Sequence, residues 1–272
     1  MMELLKYDFF TNALIASLIT AVSCGIIGAY IVARRMVFIG GGITHASFGG
    51  IGIGYFLGIN PMIGAALFAV LSAFGINYFT RKGNIRQDSS IAIWWSLGMA
   101  IGIIFIALKP GYAPNLMNFL FGSILTVTSS DLIFMSIISL ITIMVFALFF
   151  RLIITISFDE EFAKARNLPV NLFNNLLIIL AALVIVGSIR VSGVILVLSL
   201  LTLPQATSNL FSKRFSSIIF LSILIGFVAM ISGLIVSYYT NLPSGATIIV
   251  ILTFIFIIAK GIEILISRKI ES

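Results

Sequence analysis

The chain has 272 residues, 60% of them hydrophobic and only 9% charged, with a net charge of +7. A water-soluble domain of this size could not cover so much apolar surface, so lipid is the solvent. The basic surplus sits at the ends of apolar segments, where membrane topology accounts for it and no nucleic-acid partner is needed.

Thr11 to Ala33 carries no charged residue and stops at Arg34-Arg35. This stretch is too long for a signal-peptide core and lacks a small-residue cleavage site, so it predicts a retained first span at 10–33. A second span at 38–58 holds the single histidine, His45, among glycines. Gly42, Ala46, Gly50, Gly54 and Gly58 recur every four residues, a stripe that lets another helix approach closely. An ionisable residue at membrane depth marks either a hydrogen-bonding packing contact or a path for water or ions. Imidazole is also a common ligand for transition metals, though His45 has no second ligand in its own motif.

Further spans are predicted at 61–80, 90–108, 131–151, 170–189, 192–211, 215–238 and 244–266, nine in all. The apolar piece 116–127 is too short to cross and reads as a re-entrant half helix shielded by protein. With the N-terminus outside, thirteen Lys and Arg residues fall on the inner side. Lys6, Lys109 and Arg190 alone fall outside. That asymmetry places the C-terminus in the cytoplasm.

One hydrophilic insert interrupts the apolar chain, running from Ser157 to Pro169. Ser157 followed by Glu160 is a capping-box pattern. Asp159, Glu160 and Glu161 favour the positive end of a short helix, and Lys164 and Arg166 its negative end. Phe158, Phe162 and Ala165 then share one side. The insert predicts a cytoplasmic helix at about 157–168, which either rests at the lipid interface or docks into a groove on a cytoplasmic partner. A lone Cys24 excludes an intrachain disulfide. The chain has no phosphate-binding Walker motif, no zinc-protease motif and no serine-nucleophile elbow. Buried carboxylates of the kind a proton relay needs are almost absent from the spans, Glu263 lying near an inner end, so energy is expected from a partner.

Taken in order, several segments resemble the permease subunits of ABC-type importers of zinc, manganese and iron. They are Arg34-Arg-Met-Val-Phe-Ile-Gly40 leading into Thr44-His-Ala46, Asp88-Ser-Ser-Ile-Ala-Ile93, Phe119-Leu-Phe-Gly-Ser-Ile-Leu125 and Phe158-Asp-Glu-Glu-Phe-Ala163. Ser192-Gly-Val-Ile-Leu196, Leu203-Pro204 and Leu242-Pro-Ser-Gly-Ala-Thr-Ile248 complete the series.

The resemblance implies an all-α membrane fold like that of the cobalamin-importer permeases, a single domain over 1–272 in a bacterial inner membrane. It implies a second permease chain, identical or not, across a central path. A cytoplasmic ABC ATPase that holds the ATP and an extracytoplasmic metal-binding protein would complete the system. No permanently bound cofactor is implied, and the divalent metal is cargo.

In the family pattern His45 takes the place of a pathway histidine, and Gly41, Gly42, Thr44, Ala46, Gly49, Gly50 and Gly54 surround it. Phe158, Asp159, Glu160, Glu161, Phe162, Ala163 and Ala165 fall where the family couples to its ATPase. Gly41 stands where the family carries Asp, and Thr44 where it carries Ser. The lost carboxylate implies either a metal site built differently or a cargo that is softer, chelated or organic. An intramembrane enzyme or scaffold is the reading from a different class, and the inventory offers it few candidate groups.

Overall fold

The computed structural model describes residues 7–109, 122 and 124–271, and every regular element among them is helical. α1 (Asp8–Ala33), α2 (Val37–Leu57), α3 (Pro61–Arg81) and α4 (Gln87–Leu108) follow the first four predicted spans closely. α5 (Ser129–Phe158), the short α6 (Glu160–Ala165), α7 (Val170–Leu200), α8 (Leu203–Phe211), α9 (Phe215–Thr240) and α10 (Ser244–Glu271) complete the order. The predicted half helix at 116–127 lies mostly outside the described residues, and Ile124–Thr126 forms a 3-10 turn.

Local chemistry sets the element ends. Gly58 adopts a left-handed φ of 72° after α2, and the next N–H, of Ile59, donates back to the Gly54 carbonyl at 3.0 Å. Such a glycine cap satisfies carbonyls that a helix end leaves without partners. Asn60 then opens α3 by accepting from the Met62 N–H at 2.9 Å, with Pro61 in the first helical position. Thr128 and Asp131 form a reciprocal capping box at the start of α5.

Two expectations change. The sequence divides 170–211 at Arg190, the charged residue. The backbone instead continues through it and breaks at Gly193, with φ 71° and ψ 168°. Arg190 need not end the helix, because its Nε donates to Asp131 at 3.3 Å. The break is placed where glycine tolerates positive φ, facing Gly122 (φ 64°), whose backbone touches it. Eight stretches among the described residues are long and apolar enough to cross a bilayer, and 170–211 contains two of the nine predicted spans.

The second change concerns α6. Ser157 stays inside α5, its hydroxyl donating to the Ile153 carbonyl at 2.6 Å. The cap is Asp159, which leaves helical geometry (φ −144°, ψ 86°) and accepts from the Phe162 N–H at 2.8 Å. Ser157 is still inside α5, so its backbone lacks the non-helical geometry that a cap needs.

α1, α2 and α7 form the interior, and α7 packs against α1, α2, α3 and α5. α4, α5 and α10 present Ile103, Leu140, Leu148, Phe254 and Leu265 outward, as lipid-facing helices do. Every ion pair among the described residues joins groups predicted on the same side of the membrane.

Candidate functional site

α2 is held by glycine contacts on two sides. Toward α3, a methyl group on Gly50 would overlap the Gly64 carbonyl, and one on Gly54 would lie 2.9 Å from the Pro61 Cα. Toward α4, a methyl on Gly49 would lie 2.9 Å from the Gly98 carbonyl oxygen, and Gly98 itself abuts the backbone of Ala46. Gly42 packs on Ile91, while Gly41 faces α7 with more room, 3.6 Å from a Leu198 methyl. Thr44 is buried and donates to the Gly40 carbonyl at 2.7 Å. The small residues thus fit α2 between helices of its own chain.

His45 emerges between these contacts, half-buried where its neighbours Thr44 and Ala46 are fully buried. Its ring stacks on Trp95 of α4, with centroids 4.0 Å apart and planes 7° from parallel. Nδ1 is shielded from solvent and has no hydrogen-bond partner among the described residues. An imidazole fixed in orientation with an unpartnered nitrogen can take a metal or a water once that nitrogen is uncovered. The same α2–α4 face carries a groove of about 350 Å³ lined by Phe38, Asp88, Ile91, Ala92 and Trp95. Among the described residues no three His, Cys, Asp or Glu side chains converge on a metal-sized site. Trp95 is a contact that sequence reading missed; its only signal was a Trp94-Trp95 pair inside an apolar segment.

At the C-terminal end of α1, the predicted coupling residues surround α6. Phe158 and Phe162 are 64% and 47% exposed, and Asp159, Glu161 and Ala165 are exposed beside them. Ala163 alone is fully buried, seating the helix against the bundle. Glu160 turns inward: one carboxylate oxygen pairs with Lys164 at 2.8 Å and the other with Arg34 Nη2 at 2.8 Å. Lys164 first, then Arg34, holds the Glu160 carboxyl down to about 2, far below the ordinary carboxylate range. Arg34 Nη1 also donates to the Ile156 carbonyl at 3.0 Å. Beside this cluster lies a cavity of about 300 Å³ whose polar lining includes Arg34, Asn77, Thr80, Gln87, Ser157 and Asn174. The Arg34–Glu160 pair left no trace in the sequence, because 126 positions separate its partners.

The sequence model of the ABC 3 transport family matches residues 6–262. The manganese transport system membrane protein MntC of Listeria monocytogenes is 38% identical over 256 residues, covering 94% of this chain and 91% of that protein. PsaBC from Streptococcus pneumoniae, solved in complex with Fab, is similar at a TM-score of 0.86 with 34% identity, covering 94% of this chain and 92% of that one. An inward-facing ABC transporter of the metal-chelate type shares the fold at a TM-score of 0.76 and 18% identity, covering 93% of this chain and 85% of its own.

Proposed function

This chain belongs to the ABC 3 transport family, and we propose that it is the membrane-spanning permease of an importer that passes manganese, or zinc, into the cell. The observation that carries the reading is its 38% identity with a manganese transport membrane protein along more than nine-tenths of both chains. Hydrolysis of ATP belongs to a separate chain that docks on α6, where Phe158 and Phe162 present apolar surface at the ends of an acidic first turn. An extracytoplasmic protein delivers the metal, and a second permease chain faces the first across the path. The N-terminus lies outside and the C-terminus inside.

His45 acts as a transient ligand. Stacking on Trp95 fixes its plane, and the buried, unpartnered Nδ1 supplies a donor when helix movement uncovers it. A site that must release its cargo is better served by few donors than by many. A second permease chain would bring its own histidine, and closure of the ATPases would rock the helices around that point.

Gly41 favours a second reading. No carboxylate accompanies His45 on α2, and a softer or chelated cargo would need none.

Uptake of manganese, zinc and ferrous iron into vesicles carrying the chain with its ATPase tests both. ATP-dependent accumulation of manganese or zinc is expected, reduced more than about tenfold by His45→Ala with assembly intact. Uptake of a chelate with none of the free ions would favour the second reading. Uptake of neither would remove both.

A further inference from the structure

We propose that Arg34 is a positioning residue that passes the movement of α6 to α2 and so to His45. The inference rests on the reading of α6 as the docking helix of an ATPase.

The guanidinium joins three helix ends. It belongs to the first residue beyond α1, donates to the Ile156 carbonyl in the last turn of α5, and pairs with Glu160 at the first position of α6. Carbonyls in a final turn lack an intrahelical partner, so Arg34 both satisfies α5 and binds α6. Asn174 of α7 reaches the same Glu160 oxygen at 3.5 Å. The Arg34 and Glu160 side chains are 17% and 21% exposed, which keeps water from substituting freely for either partner. Charge-assisted bonds of this kind are short and about twice as strong as neutral ones.

The link onward to α2 has no slack. Only Arg35 and Met36 separate Arg34 from Val37, where α2 begins. Arg35 adopts a left-handed φ of 57°, and the Met36 N–H closes the corner on the Ile31 carbonyl at 2.8 Å. His45 lies eight residues into α2, about 12 Å along a helix axis. Glycine contacts bind α2 to α3 and α4, so the corner moves a block and not one helix. The neighbouring cavity of about 300 Å³ gives that corner room to shift within a polar lining.

The test uses the full chain purified with its ATPase in phospholipid vesicles, with manganese chloride as the cargo. Three quantities are read: ATPase retained, ATP hydrolysed, and manganese accumulated per ATP. Arg34→Gln is expected to keep the first two within about twofold and to lower manganese per ATP by about fivefold or more. Unchanged manganese per ATP would overturn the inference and leave the proposed function standing. Loss of the ATPase from the complex would also overturn it, because Arg34 would then support docking itself.

Should the glutamine variant fail to fold in the membrane, so that no permease is recovered, charge reversal decides. Arg34→Glu alone opposes two carboxylates, whereas adding Glu160→Arg and Lys164→Glu rebuilds both pairs with inverted sign. Recovery of manganese per ATP in the triple variant supports transmission through the pair. An assembled triple variant no better than Arg34→Glu contradicts it. A wild-type complex that retains no ATPase removes the docking reading and this inference together, and one that takes up no manganese is read with zinc chloride as the cargo.

Discussion

Two alanines on one helix face opposite outcomes. A methyl at Gly50 would overlap the Gly64 carbonyl, and the reciprocal methyl at Gly64 would overlap the Gly50 carbonyl. Both obstacles are backbone, so no side-chain rotation relieves them and the helices must separate. Overpacking of this kind costs about 1–3 kcal/mol, here toward the upper end. Against it stands a gain of about 1 kcal/mol from replacing a helical glycine. The net loss for Gly50→Ala is about 2 kcal/mol.

At Gly41 the nearest atoms are Leu198 methyls at 3.6 and 3.7 Å, ordinary contact distances. Gly41→Ala therefore keeps its gain of about 1 kcal/mol. The two variants differ by about 3 kcal/mol, which at about 2–4 °C per kcal/mol separates their melting temperatures by about 6–12 °C. Thermal unfolding of detergent-purified protein, followed by its tryptophan fluorescence, reads that gap. Melting temperatures within about 2 °C of each other would refute the tight α2–α3 contact.

Other outcomes follow from the same geometry. Glu160→Gln lowers thermal stability at pH 7. Because the folded carboxyl sits at about 2 rather than 4.5, the wild-type advantage is full above pH 4.5 and shrinks as pH falls toward 2. A stability gap constant from pH 7 to 3 would count against the ion-pair cluster. Asn60→Ala removes the cap of α3 and costs about 1 kcal/mol, whereas Asn60→Ser costs little; equal melting curves for all three would contradict the cap. Trp95→Leu frees the His45 ring and reduces manganese uptake less than His45→Ala does; a loss greater than that of His45→Ala would place the chemistry on Trp95.

Much of the architecture was legible because the bilayer enforces it. Uncharged runs such as Thr11–Ala33 must be helical to satisfy their backbone, and α1 to α4 lie where those runs do. The insert at 157–168 stood out for the same reason. Its cap was misassigned because Ser157 and Asp159 are both competent caps. The choice between them depends on where α5 ends, which the packing of α5 against α1 and α7 decides. Gly193 was hidden among other membrane glycines, while Arg190 offered a charge that its unseen partner Asp131 neutralises. At the candidate site, His45 was conspicuous as the only histidine. Trp95 and Arg34 make their contacts with His45 and Glu160 between separate helices, and no local pattern encodes them.

A photoreactive amino acid at position 162 examines whether power enters through α6. Ultraviolet irradiation of intact cells should join the chain to a cytoplasmic protein bearing a Walker motif, while the same group at Tyr239 should not. Attachment from position 162 to an extracytoplasmic protein, or labelling of that position by a reagent confined outside the cell, would contradict a permease driven from within.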